Sequence, residues 1–179
     1  MMDPSSQTAT LAQRARTWPW LLLAALVVCA DQLSKAVVVR NLDLHERIDV
    51  LPIFAWVRWH NEGAAFSMFN DAGGWQRWVF VGLAIGFVGF LLYELRRLPT
   101  TQKIMGWVYA LIMGGAIGNG IDRALNGYVV DFVLVHYQTY YFPAFNVADA
   151  ALSCGAVLWI FVMIMEHRQE RALEQADRQ

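Results

Sequence analysis

Residues Trp75 to Tyr93 read WQRWVFVGLAIGFVGFLLY, and no charged residue occurs between Arg77 and Glu94. A helix rises about 1.5 Å per residue, so a run of this length crosses a hydrocarbon layer about 30 Å thick. A strand of the same length would be far longer than those of ordinary sheets. Three further stretches pass the same test of length and polarity: Trp18 to about Val39, Ile104 to Ile121, and Val147 to Met165. Composition agrees, since 57% of the 179 residues are hydrophobic, 16% are charged and the mean hydropathy is +0.35. That is too apolar for a soluble domain of this size.

At about 20 residues per span, four spans leave chain for one modest extramembrane element and no second domain. An even number of spans puts both termini on one side. Arg14, Arg16, Arg96, Arg97, Lys103, Arg168 and Arg171 flank that side, which the positive-inside rule makes cytoplasmic. The division predicted is 1–17 cytoplasmic tail, 18–39 span one, 40–74 outer β-rich segment, 75–95 span two, 96–103 cytoplasmic turn, 104–121 span three, 122–145 outer interfacial segment, 146–166 span four and 167–179 cytoplasmic tail. The first apolar stretch also invites reading as a signal peptide, with Leu26-Val27-Val28-Cys29 near a lipoprotein cleavage box. Val28 is too bulky for that box, and apolar character resumes beyond Lys35, so a first span is the better reading.

In the first outer segment, Ile48 to Trp59 is rich in strand formers, and Asn61-Glu62-Gly63 supplies turn chemistry before Ala64 to Phe69. A short sheet is expected there. Phe54, Trp56, Trp59, Phe66 and Phe69 suit the headgroup layer; the alternative is a small soluble cap with an aromatic core. The second outer segment, Tyr128 to Phe145, alternates apolar and aromatic residues and is expected along the interface. Gly82 with Gly86, and Gly114 with Gly118, are spaced to let helix backbones approach. A net charge of −1 without a basic run gives no reason to expect nucleic acid. Cys29 and Cys154 lack a CxxC partner, which argues against a disulfide or a zinc site.

The polar interruptions of the spans carry the functional signal. Asp31 and Lys35, then Asn119, Asp122 and Arg123, then Asn146 and Asp149, all fall in the outer leaflet of this topology. A carboxylate at mid-membrane costs about 2.5 to 3.5 kcal/mol on the insertion scale, so such groups face a protein cavity. Asp31 and Lys35 are one helical turn apart and form a neutralising pair that also braces its neighbours. Asn119 and Arg123 share a face, fit to hold a peptide carbonyl or to anchor the helix end to lipid phosphate. Asn146 with Asp149 has the spacing of a helix cap and its reciprocal acid, and Asp131 alone reads as a loop acid. If Asp131 and Asp149 reach one pocket, the two carboxyls share a proton, and one serves as base while the other serves as acid. No metal or cofactor is needed for that chemistry.

Five motifs carry a resemblance: Asp31-Gln32-Leu33-Ser34-Lys35, Asn61-Glu62-Gly63-Ala64-Ala65-Phe66-Ser67, Gly114-Gly115-Ala116-Ile117-Gly118-Asn119-Gly120-Ile121-Asp122-Arg123, Val130-Asp131-Phe132 and Phe145-Asn146-Val147-Ala148-Asp149. In this order they resemble the bacterial lipoprotein signal peptidases, also called signal peptidase II. The resemblance implies an aspartyl endopeptidase of the bacterial cytoplasmic membrane that removes the signal peptide of a prolipoprotein just before its diacylglyceryl-modified cysteine. It implies catalytic roles for Asp131 and Asp149. Asn61, Asn119, Arg123 and Asn146 would line the substrate site, and Asp31, Lys35 and Asp122 would support it. The fold implied is an all-α membrane protein of four transmembrane helices, with a small periplasmic-side β cradle and a short interfacial outer helix. Its partners would be lipid-modified signal peptides and the bilayer, and no oligomer is required.

Competing chemistries lack their residues. Ser67 and His60 have no serine-protease setting. Leu44-His45-Glu46-Arg47 lacks the second histidine of a zinc protease. Gly118-Asn119-Gly120-Ile121-Asp122 misses the Gly-x-Gly-Asp of presenilin-like enzymes. A small proton-coupled carrier or a non-catalytic assembly subunit is the alternative from another class; a carrier predicts polar residues across the whole membrane depth.

Overall fold

A computed structural model describes residues 16–63 and 74–177. Their elements run α1 (Trp18–Asn41), β1 (Arg47–Leu51), β2 (Phe54–Asn61), α2 (Gln76–Arg97), α3 (Lys103–Asn126), β3 (Val129–Tyr137), β4 (Tyr140–Tyr141) and α4 (Val147–Ala176). All 4 helices are long and apolar enough to cross a membrane. Their outer surfaces match that solvent, with Leu22, Leu83, Ile85 and Phe161 each more than half exposed. Local chemistry sets the helix ends. Pro19 sits in the first turn of α1, where its missing N–H costs nothing, and Gly127 closes α3 in the left-handed conformation at φ 89°.

Helix α3 occupies the centre, packed against α1, α2 and α4. Small residues make that position possible. A Cβ on Gly115 would stand 2.5 Å from the Ala148 carbonyl oxygen, and one on Gly118 would stand 2.7 Å from Asp31 Oδ2. Gly114 likewise lies against Ala24 and Val27 of α1, as its spacing with Gly118 predicts. Gly82 and Gly86 have open space instead, so they bring no described helix close. The half of the bundle away from the sheet is filled by Ala24, Leu91, Leu95, Val108, Ala110, Ile112 and Met113.

The strands form one antiparallel sheet in the order β1-β2-β3-β4. The β1–β2 hairpin turns at Pro52 and Ile53, and β2 then pairs with β3, which follows α3 in the chain. The sheet is tied to the end of α1 by Arg58, whose Nη1 donates to Leu42 O at 3.0 Å, a cation placed at a helix C-terminus.

Three features depart from expectation. The segment expected along the interface is strand β3, its hairpin to β4 and an extended return; its β-branched run Val129, Val130, Val133 and Val135 satisfies its backbone against β2. No short interfacial helix occurs among the described residues, and the expectations for Ala64 to Phe69 lie outside them. Helix α3 continues past Ile121 to Asn126, because no helix breaker occurs before Gly127. Helix α4 likewise runs beyond the span to Ala176 through Glu, Arg, Gln, Leu and Ala, all good helix formers.

Candidate active site

The site is assembled where the C-terminal halves of α1 and α3 and the first turn of α4 meet β3. Asp31 and Lys35 lie one turn apart on α1, and Lys35 Nζ reaches Asp31 Oδ2 at 2.7 Å, Asp122 Oδ2 at 2.9 Å and Asn119 Oδ1 at 3.0 Å. All four side chains are buried. The remaining capacity of the acids is also used. Asp31 Oδ1 accepts from the Ala148 N–H at 2.9 Å, and Asp122 Oδ2 accepts from the Val130 N–H at 3.2 Å. Thus one buried ammonium and two carboxylates lock α1 to α3, to the start of α4 and to β3.

That lock sets the orientation of two amides. Because Asn119 Oδ1 accepts from Lys35, its Nδ2 must face the other way, and it donates to Asp149 Oδ1 at 2.7 Å. Asn146 is the N-cap of α4. Its Oδ1 accepts from the Asp149 N–H at 2.9 Å, and Asp149 Oδ2 accepts from the Asn146 N–H at 3.2 Å. The capping box expected from sequence is therefore present. Since the cap consumes Asn146 Oδ1, its Nδ2 is left to donate, and it reaches Asp131 Oδ1 at 2.8 Å. Asn146 thus holds both acids. The second oxygen of Asp131 accepts from Asn61 Nδ2 at 3.2 Å across the β2–β3 pair.

Asp131 and Asp149 open into one cavity of about 570 Å³, also lined by Asn61, Arg123, Phe142, Phe145 and Ser153. Arg123 Nη2 donates to Gly63 O at 2.9 Å, and its guanidinium stacks 4.9 Å from the Phe80 ring. Burial first, and the nearby Asp149 charge second, push the Asp131 carboxyl up to about 7 against the hydrogen bonds from Asn61 and Asn146. A carboxyl poised there is partly protonated at neutral pH beside a second acid, an arrangement suited to general acid–base hydrolysis of an amide.

All nine residues singled out from the sequence gather here, at two depths. Asp131, Asp149, Asn61 and Arg123 line the cavity. Asn119 and Asn146, expected to line it, are buried behind the acids because their amides are spent on holding them. Asp31, Lys35 and Asp122 form the layer beneath. Sequence reasoning gave no role to Gln32, whose Nε2 donates to Asp122 Oδ1 at 2.9 Å and Gly118 O at 3.2 Å. Its place between Asp31 and Lys35 was the available signal. Nothing in the sequence marked Phe142 or Ser153 as cavity walls, since apolar and small residues are ordinary at a membrane, and Phe145 stood out only as the first residue of a motif.

The chain is similar to known proteins over most of its length. The family profile described as "Signal peptidase (SPase) II" matches residues 23–165. The lipoprotein signal peptidase of Pseudoalteromonas translucida is 47% identical over 84% of this chain and 90% of its own length. That of Shewanella pealeana is 49% identical over 80% of this chain and 83% of its own. A bacterial membrane enzyme solved by the in meso method at 2.3 Å resolution superposes with a TM-score of 0.77 at 26% identity, covering 88% of this chain and 94% of that one.

Proposed function

The chain belongs to the signal peptidase II family, a protease family that removes signal peptides from prolipoproteins, and we propose that Asp131 and Asp149 are its catalytic pair. The observation that carries this assignment is the double hold of Asn146, which binds Asp131 through its side chain and Asp149 through its main chain at the wall of one cavity. The substrate is a signal peptide followed by a diacylglyceryl-modified cysteine, cut on the N-terminal side of that cysteine.

At neutral pH the pair keeps one proton. The ionised acid takes a proton from a water lying between them as its oxygen attacks the scissile carbonyl carbon. The protonated acid donates to the carbonyl oxygen. Collapse of the tetrahedral intermediate breaks the C–N bond, the leaving amine takes up the proton that the base removed from water, and a hydroxyl of the intermediate returns a proton to the acid that had donated it. A free carboxylate remains on the signal peptide and a free amine on the lipid-modified cysteine. Arg123 and Asn61, beside the acids, hold substrate carbonyls, while Asn119, Asn146, Asp31, Lys35 and Asp122 keep the acids in place.

The enzyme works as a multi-pass protein of the bacterial cytoplasmic membrane. Both termini are cytoplasmic, the sheet is on the periplasmic side and the cavity is in the outer leaflet. The distribution of arginine and lysine supports this orientation. The cavity's position at the outer end of α4 lets a membrane-embedded substrate enter sideways.

The test is cleavage of a peptide bearing a diacylglyceryl cysteine by the purified protein. Asp131→Asn and Asp149→Asn should insert and purify normally, yet lose at least about 100-fold in rate, the lower end of what general acid–base groups supply. Full turnover by either variant would dismiss the pair.

A further inference from the structure

Away from the catalytic cavity, a second groove of about 430 Å³ runs between α2 and α3, lined by Val81, Ala84, Val88, Ala116, Gly120 and Ala124 among other wholly apolar residues. Missing side chains keep it open. A Cβ on Gly89, which also lines the groove, would meet nothing within 4 Å. Helix α2 packs chiefly against α3, so the groove faces the bilayer.

A cation stands at its outer mouth. Arg77 lies one turn before Val81, and one of its Nη groups donates to the Ala124 carbonyl at the end of α3. Its guanidinium stacks 4.7 Å from the Trp78 ring. Its Nη1 is left over: it lies beside Gly127, which has no side chain to cover it, while Nε is buried without a hydrogen-bond partner among the described residues. Trp75 and Trp78 flank the mouth with 59% and 62% of their surface exposed, the arrangement of a headgroup-layer belt.

We propose that this groove is a binding site for one glycerophospholipid of the outer leaflet, with its phosphate on Arg77 and one acyl chain between α2 and α3. Charge complementarity and depth select that occupant. The charged guanidinium presents its Nη1 donors to a phosphate oxygen, and the apolar channel begins one helical turn below it, where an esterified chain leaves a headgroup. A bilayer lipid fits better than the substrate's own lipid, because a diacylglyceryl thioether carries no phosphate for Arg77 to hold. The site is separate from the acids and does not depend on their assignment.

The experiment uses the full-length protein in a neutral maltoside detergent with added phosphatidylglycerol, and counts retained lipid by native mass spectrometry. Arg77→Gln removes the phosphate partner. Gly89→Leu fills the channel where there is room for it, so folding is spared. Each variant should retain the lipid about fivefold more weakly than the parent, the effect of one basic contact near a membrane surface. Cleavage of the lipidated peptide should stay within about twofold. Equal retention by all three proteins would overturn the proposal, as would a loss confined to one variant. Unchanged lipid retention with impaired cleavage by Gly89→Leu would instead assign the groove to a substrate chain.

Discussion

Replacing Lys35 by Met tests whether the buried ion cluster holds the site together. The ammonium contacts Asp31 Oδ2, Asp122 Oδ2 and Asn119 Oδ1 at 2.7, 2.9 and 3.0 Å, and methionine fills similar space without charge. Two carboxylates that are 0% and 4% exposed then lose their counter-ion. Stranding a buried charge costs about 3 to 5 kcal/mol. The lower end applies here, because Asp31 keeps the Ala148 N–H and Asp122 keeps Gln32 and the Val130 N–H. At about 2 to 4 °C per kcal/mol for a chain of this size, a cost near 3 kcal/mol lowers the melting midpoint by about 6 to 12 °C. Loss of the monodisperse gel-filtration peak after heating in detergent measures it. Adding Asp122→Asn to Lys35→Met should recover part of the loss, since it removes one stranded charge while the single amide oxygen still accepts from one of the two donors, Gln32 Nε2 or the Val130 N–H. A midpoint for Lys35→Met within about 2 °C of the parent would refute the reasoning. So would a double variant no better than the single one.

The pH profile follows from the Asp131 carboxyl, raised to about 7 by burial and by the Asp149 charge. The shared proton is present below that value and leaves above it, so kcat/KM should fall about tenfold per unit on the alkaline side; a flat profile through pH 9 would contradict it. The same shift makes folding weaken from about pH 4 to 7, because the unfolded chain releases this proton first. Asn146→Ala should cost about 1 to 2 kcal/mol through the lost cap and should also lower activity. Asn146→Ser should restore the cap and its melting midpoint while leaving activity low, since a serine hydroxyl is too short to reach Asp131 as well. Gly118→Ala places a methyl 2.7 Å from Asp31 Oδ2 and should destabilise by about 1 to 3 kcal/mol. Gly86→Ala enters open space and should be neutral or stabilising by up to about 1 kcal/mol; thermal melts in detergent separate the two.

The helices were legible because a span is a local signal. The charge-free run before Glu94 needs no partner to be recognised, and the four helices follow from such runs. Helix ends were less legible, because Asp122 and Arg123 read as the exit from a span although α3 carries both inside its last turns. The strand formers around Ile48 to Trp59 announced β1 and β2. The pairing of β2 with β3 was not announced, since the partner lies beyond two helices and its apolar run suits an interface equally well. Among the site residues, charge inside apolar sequence pointed to Asp31, Lys35, Asp122 and Asp149. Asp131 stood out only through its motif, because an acid in a strand is unremarked until its neighbours are known. Gln32 and the cavity walls acquire meaning only from contacts across the bundle.

Asn146 shows why a capping reading and a catalytic reading of one short motif need not compete. A helix start has N–H groups to satisfy, and Asn146 with Asp149 satisfies two of them reciprocally. An amide side chain has two ends, however, and the cap uses only the oxygen. The nitrogen is left pointing out of the helix, and β3 brings Asp131 to it at 2.8 Å. Serine or aspartate would cap as well but would present no such donor. The choice of asparagine is therefore explained by the acid on the far strand, and helix formation itself fixes the spacing of the pair. Two acids held this way need no loop to position either carboxyl, since one rides on the first turn of α4 and the other on a strand paired along β2.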